Sequence, residues 1–173
     1  MIRKGRPSDL TRLWELDRIC FEPGIAYSRG ALRRFFQVPG AECLVAESGE
    51  GIEGFALGYP DRSGDAHVVT LDVHPSARRR GLGRELLEGL LASLASAGGD
   101  QAVLEVDVRN SGAIAFYRNL GFRPSGRLTG YYGRGLDAFQ MVRPTGIPPP
   151  TPSPEAPAGG AGALGTRRAA PED

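Results

Sequence analysis

Arg78-Arg79-Arg80-Gly81-Leu82-Gly83-Arg84 separates a β-branched run at 66–73 from the longest helical pattern in the chain. A helix N-terminus presents unpaired N–H groups and a partial positive charge. Gly81 and Gly83 let the backbone approach an anion closely, and the flanking arginines add charge-assisted hydrogen bonds. A diphosphate fits this arrangement. A P-loop would require Gly-Lys-Ser/Thr, which is absent. A dinucleotide-binding turn would require Gly or Ala where Leu86 stands, and its strand would run straight into the glycines, where an arginine triplet intervenes. Glu105 and Asp107 do stand near the ~20-residue spacing of that fold's ribose-binding acid. A solvated basic helix start is the plainest alternative.

Working outward, residues 81–97 carry Leu82, Leu86, Leu87, Leu90, Leu91 and Leu94 as one apolar stripe, which Gly98-Gly99 ends. Residues 102–108 read as a buried strand. Strand, helix and strand in that order make a right-handed crossover with its two strands parallel. Upstream, residues 1–4 read as a strand, and Ser8 as the cap of a helix bearing Leu10, Leu13, Trp14 and Leu16. Tyr27-Ser28 precedes a second helix with Ala31, Leu32, Phe35 and Phe36 on one side. A hairpin of 42–47 and 53–59 turns at 48–51, and a polar turn at 61–65 leads into 66–73. Downstream, a helix at 111–120 stops at Gly121, followed by strands at 123–132 and 138–143. The predicted class is α+β.

Of the 173 residues, 40% are hydrophobic and 24% charged, ordinary values for a globular protein. A net charge of +1 argues against a general nucleic-acid binder. No apolar run is long enough to span a membrane, and no secretory signal opens the chain. The expectation is a cytoplasmic protein, with no membrane or nucleic-acid partner, in which Cys20 and Cys43 are buried reduced thiols. No Cys-x-x-Cys spacing exists and His67 and His74 have no ligand cluster, so no metal is expected. From Pro144 onward Pro, Gly and Ala dominate. Residues 144–173 are expected to be a disordered tail, with a Pro-rich docking ligand as the alternative, and 1–143 the folded domain.

A second block comprises Leu104-Glu105-Val106-Asp107-Val108-Arg109-Asn110, then Ala113-Ile114-Ala115-Phe116-Tyr117, then Leu120-Gly121-Phe122. Together with Arg78-x-x-Gly81-x-Gly83 it resembles the GNAT superfamily of N-acetyltransferases, over roughly residues 1–143. It is most similar to the RimI-like branch, the ribosomal-protein N-terminal alanine acetyltransferases and their archaeal relatives. Tyr131-Tyr132, Asp137-Ala138 and the stretch from Cys20-Phe21 to Tyr27-Ser28 also resemble that branch. Arg78, where the branch often has Gln, and the Val108-Arg109 pair depart from it. The resemblance implies a mixed, mostly antiparallel central sheet with helices on both faces and an acetyl-CoA-binding crossover.

It also implies roles. Leu71, Asp72 and Val73 would align the pantetheine arm through their backbone. The turn of Arg78, Arg79, Arg80, Gly81, Leu82, Gly83 and Arg84 would hold the pyrophosphate. Glu105 would be the general base, directly or through a water, and Tyr117 the general acid toward the leaving thiolate while also touching the cofactor. The residues alone leave alternatives: Glu105 as a structurally paired carboxylate, Tyr117 as a core tyrosine, Asn110 as a helix cap besides its bond to pantetheine. Tyr27, Tyr131 and Tyr132 would wall a peptide groove, or simply pack. A free α-amine, with a pKa near ~7.7–8.0 against ~10.4 for lysine, needs little help to lose its proton. The expected substrate is a protein or peptide N-terminus, a ribosomal protein among the candidates, and the expected enzyme a monomer or weak dimer. A lysine side chain or small amine is the alternative acceptor, and a non-catalytic acetyl-CoA-binding module the alternative of another kind.

Overall fold

Leu44 and Ala46 alternate with Cys43 and Val45, the pattern of a strand covered on both faces. The computed structural model, which describes residues 1–145, covers both. Its elements are β1 (Ile2–Lys4), α1 (Leu10–Cys20), α2 (Arg29–Phe36), β2 (Glu42–Ser48), β3 (Gly51–Pro60), β4 (Ala66–Val73), α3 (Leu82–Leu94), β5 (Gln101–Asp107), α4 (Ser111–Asn119), β6 (Arg123–Leu128) and β7 (Ala138–Pro144). The strands form one sheet in the order β1-β2-β3-β4-β5-β7-β6. Every pair is antiparallel except β4 with β5.

On one face, Leu13 and Leu16 of α1 and Leu32 and Phe35 of α2 pack on Val45, Phe55 and Leu57. On the other, the α3 leucines and Tyr117 of α4 pack on Ala56, Leu71, Leu104 and Val106. Burying one such leucine contributes ~1.5–3 kcal/mol. The sheet lets α3 lie close because β3 offers it Gly54, Ala56 and Gly58. A Cβ on Gly54 would stand 3.1 Å from Leu86 Cδ1, and one on Gly58 3.1 Å from Leu94 Cδ1.

Two irregularities position the site. Leu57 pairs with Thr70 but Gly58 with Val68, so Val69 is an extra residue in β4. This bulge inverts the alternation: His67, on one side of it, and Thr70 and Asp72, on the other, all face α1 and α2. The second irregularity is that β4 and β5 pair only at Ala66 with Ala102 and His67 with Val103. Beyond those residues the strands part, while β5 stays fully paired with β7.

Three sequence expectations change. Ser8 lies in a 3-10 turn, and it is the Asp9 carboxylate that accepts from Arg6 N at 2.8 Å, because Pro7 tightens the chain there. The strand expected at 123–132 ends at Leu128, since Gly130, Gly133 and Gly135 take φ of 65°, 130° and 78° and bend the chain into a loop. The helix expected at 81–97 is α-helical to Leu94 and ends in a 3-10 turn at Gly98. At the C-terminal end, Thr145 N donates to Asp100 O at 2.8 Å. The tail expected at 144–173 otherwise lies outside the described residues. Among those residues, no helix is long and apolar enough to cross a membrane.

Candidate active site

Since β4 and β5 pair only at their N-terminal ends, the gap between them opens toward their C-terminal ends, where α3 begins. The turn joining β4 to α3 holds two left-handed residues, Arg79 at φ 62° and Gly81 at φ 81°. Arg79 adopts it at a cost that glycine does not bear, which makes the turn a functional candidate. Gly81 caps α3 and has no side chain with which to bond the helix N-terminus. Left-handed residues in such a turn aim successive N–H groups into one concavity. Arg79, Arg80 and Gly81 are exposed, Leu82 and Arg84 half-buried, and Gly83 buried in the first turn of the helix. Arg78 turns back: its Nε donates to Val73 O at 2.9 Å, bracing the turn against the end of β4. Arg80 reaches Glu53 at 3.4 Å. The donor set fits a diphosphate.

Glu105 lies mid-strand in β5 and Leu104 and Val106 fill the α3 face, so alternation turns its side chain toward α1 and α2. It is 3% exposed, and its Oε2 lies 2.8 Å from His67 Nε2. The His67 ring stacks on Tyr59 at 5.7 Å, and Tyr59 on Phe35 at 6.2 Å. Tyr117 belongs to the opposite face and is fully buried, edge-on to Phe116 at 5.2 Å and to Phe122 at 5.8 Å. Burial, and then the neighbouring Tyr132 and Asp72, push its phenol well above the ordinary range, so it holds its proton throughout the neutral range. Asn110 caps α4, its Oδ1 accepting from Ala113 N at 3.0 Å.

A cleft of about 360 Å³ opens beside this pair of faces. Cys20, Phe21, Glu22 and Ile25 form one wall, Asp107, Arg109 and Asn110 another, and Tyr132 a third. Arg109 ties the walls together, with Nη2 at 2.6 Å from both Glu22 and Asp107. Burial would raise the Asp107 carboxyl, but the hydrogen bonds from Arg109 hold it below the ordinary range. Tyr131 stacks edge-on to Tyr132 at 4.9 Å. Tyr27, expected in the groove wall, is 3% exposed and packs against Phe35 at 5.4 Å, because its backbone N is held by Asp17 Oδ2 at 2.6 Å; Ile25 stands in the wall instead.

Below the cleft lie two more buried acids. Asp17 of α1 and Asp72 of β4 are both 0% exposed, and Thr70 Oγ1 donates to Asp72 Oδ1 at 2.6 Å. Burial, then the like charge of Asp17, push the Asp72 carboxyl well above its ordinary range. Cys20 Sγ, 3.4 Å from Val73 O, is pushed up to about 12 by burial and by Asp72. Sequence reasoning missed His67, Glu22, Arg109 and Ile25. A polar residue inside the β-branched run of β4 was the available signal for His67.

A parallel strand pair that splays toward a glycine-capped helix N-terminus, with an acid on one face and a tyrosine on the other, suits an enzyme that takes a group from a phosphate-bearing carrier. The acetyltransferase (GNAT) family model matches residues 10–122, and the chain belongs to that family of N-acetyltransferases, which use acetyl-CoA. It is 34% identical over 146 residues to the N-alpha-acetyltransferase RimI of Mycobacterium tuberculosis, covering 82% of this chain and 90% of that one. It is 32% identical over 146 residues to an uncharacterized N-acetyltransferase of Methanocaldococcus jannaschii, covering 83% and 90%. The ribosomal-protein-S18-alanine N-acetyltransferase of Escherichia coli superposes with a TM-score of 0.74 at 25% identity, covering 87% and 97%.

Proposed function

We propose that the protein acetylates the N-terminal α-amine of a protein, with Glu105 as general base and Tyr117 as general acid. The observation that supports this most is placement. The two groups lie on opposite faces of the sheet beside the one gap between its strands, and the Glu105 face carries the open cleft. The turn at Arg79–Gly83 and the α3 N-terminus would hold the diphosphate of acetyl-CoA, and the open edges of β4 and β5 its pantetheine arm. Acetyl-CoA supplies the activated acyl group.

The chain's own residues do the rest. Glu105 takes the proton of the incoming ammonium, across a bridging water because the carboxylate is buried and stands behind the residues that line the cleft. Tyr117 gives its proton to the leaving sulfur and regains one from solvent. Its burial keeps a proton available at neutral pH. No covalent enzyme intermediate is required, and Cys20, held protonated, is no nucleophile. Similarity to a ribosomal-protein alanine acetyltransferase supports an N-terminal alanine as the acceptor to try first.

A lysine side chain or small amine is the second reading. The carboxylates of Glu22 and Asp107 at the cleft favour it, since they attract any cation. The test is incubation with acetyl-CoA and two peptides, one with a free N-terminal Ala and no lysine, the other blocked with an internal lysine. Mass spectrometry should locate the acetyl group on the first alone. Acetyl only on the second would replace the N-terminal reading with the lysine one.

A further inference from the structure

We propose that His67 is the positioning residue of Glu105, and that its protonation sets whether Glu105 can act as a base. The inference rests on the base role of Glu105. It starts from a buried contact: His67 Nε2 and Glu105 Oε2 are 2.8 Å apart, with side chains 6% and 4% exposed. The pair sits where β4 and β5 make their last rung, His67 with Val103, so the contact spans the mouth of the gap. The contact with the imidazole engages Oε2 of Glu105. One oxygen is thus anchored and the other is left for the substrate's proton.

The imidazole is itself fixed. Tyr59 stacks on it nearly parallel, at 11°, and Phe35 of α2 backs Tyr59. The titratable groups that face it are Glu105 from β5, Tyr59 from β3 and the Asp61 carboxylate from the turn between β3 and β4. With a neutral ring, Nε2–H donates to Oε2 and holds the carboxylate in one orientation without cancelling its charge. Once the ring is protonated, the pair becomes imidazolium and carboxylate, and a proton on Oε1 is then opposed by the adjacent cation. Transfer slows once the ring is protonated, because the base weakens. During turnover the amine gives one proton to Glu105 and Glu105 gives it on to solvent, while His67 keeps its Nε2–H throughout.

Two measurements test this. The first records kcat/KM against pH for the wild type, His67→Gln and His67→Leu, with acetyl-CoA and the acetylated peptide. Glutamine can donate to Oε2 but cannot gain a proton. His67→Gln should lower turnover by less than ~10-fold and lose the acid limb of the profile, and His67→Leu should lower it ~100-fold. The second follows the ring protons of His67 by NMR. The chain has 2 histidines, so His74→Gln makes the assignment. Glu105→Gln should move the His67 titration to lower pH. A His67→Gln enzyme with the wild-type acid limb, or a His67 titration unmoved by Glu105→Gln, overturns the proposal. Should no peptide N-terminus be acetylated, the N-terminal reading falls, and the NMR arm still decides the pairing. If His67→Leu fails to fold, His67→Gln and the NMR arm decide.

Discussion

The face of the sheet under α1 and α2 holds two buried acids in opposite company. Glu105 meets an imidazole, a partner that donates to a carboxylate whether or not it is charged. Asp72 feels the like charge of a second buried carboxyl, Asp17, and accepts from the Thr70 hydroxyl. The first arrangement sets a ring nitrogen against the carboxylate beside the cleft. The second keeps a proton inside the protein, since two like charges in a dry site cannot both persist. Burial alone therefore says little about what an acid does, and the partner decides. One pair is suited to chemistry, while in the other Asp17 holds the loop carrying Tyr27 against α1.

The contrast can be broken or sharpened by substitution. The largest effect should come from a change that touches neither acid. Gly83→Val puts a branched side chain in the buried first turn of α3, and acetyl-CoA affinity measured by calorimetry should fall ~100-fold or more while the melting temperature shows whether the fold persists. Normal binding by this variant would displace the diphosphate from the turn. Glu105→Gln and Tyr117→Phe should each lower kcat ~100-fold with acetyl-CoA binding kept, as read by steady-state kinetics beside the same calorimetry. A Glu105→Gln enzyme at full rate would make Glu105 as structural as Asp72.

Asp72→Asn should act on stability instead. An acid whose folded-state pKa is raised keeps a proton that the unfolded chain releases. Stability is then greatest below the ordinary value of 3.8 and falls as pH rises from there until the folded pair ionises. The amide keeps the shape of the carboxyl and carries no charge at any pH, so the variant should be more stable at pH ~8 by ~1 kcal/mol and lose much of that decline, as denaturant unfolding across pH would show. A variant with the wild-type pH slope would mean that the pair carries no such proton. The smallest effect expected is that of removing residues 146–173, which should leave kcat within a factor of ~2 in the same peptide assay.

The crossover and both layers were legible because leucine spacing in α3 and β-branched runs in β4 and β5 are local signals. Glu105 and Tyr117 were legible as candidates through motif spacing; strand alternation sets the face of Glu105, and the packing of α4 beside α3 that of Tyr117. His67 was not. Its pairing depends on the extra residue Val69, which inverts the alternation within β4, and a bulge in a run of Val and Thr leaves no mark in the sequence. Arg109 and Glu22 stand 87 residues apart, and nothing local announces that they meet. Tyr27 looked like a groove wall because tyrosines often line peptide sites, whereas the Asp17 bond to its backbone draws the ring into the core.

Only two rungs join β4 to β5, so the sheet is mechanically two leaves, β1 to β4 and β5-β7-β6, hinged at Ala66–His67 and Ala102–Val103. A ligand lying between the leaves works as a staple as well as a reactant. At a hundred times its dissociation constant it adds about 2.7 kcal/mol to the folded state. Amide exchange should slow along the inner edges of both leaves, while the hairpin of β2 and β3 changes far less.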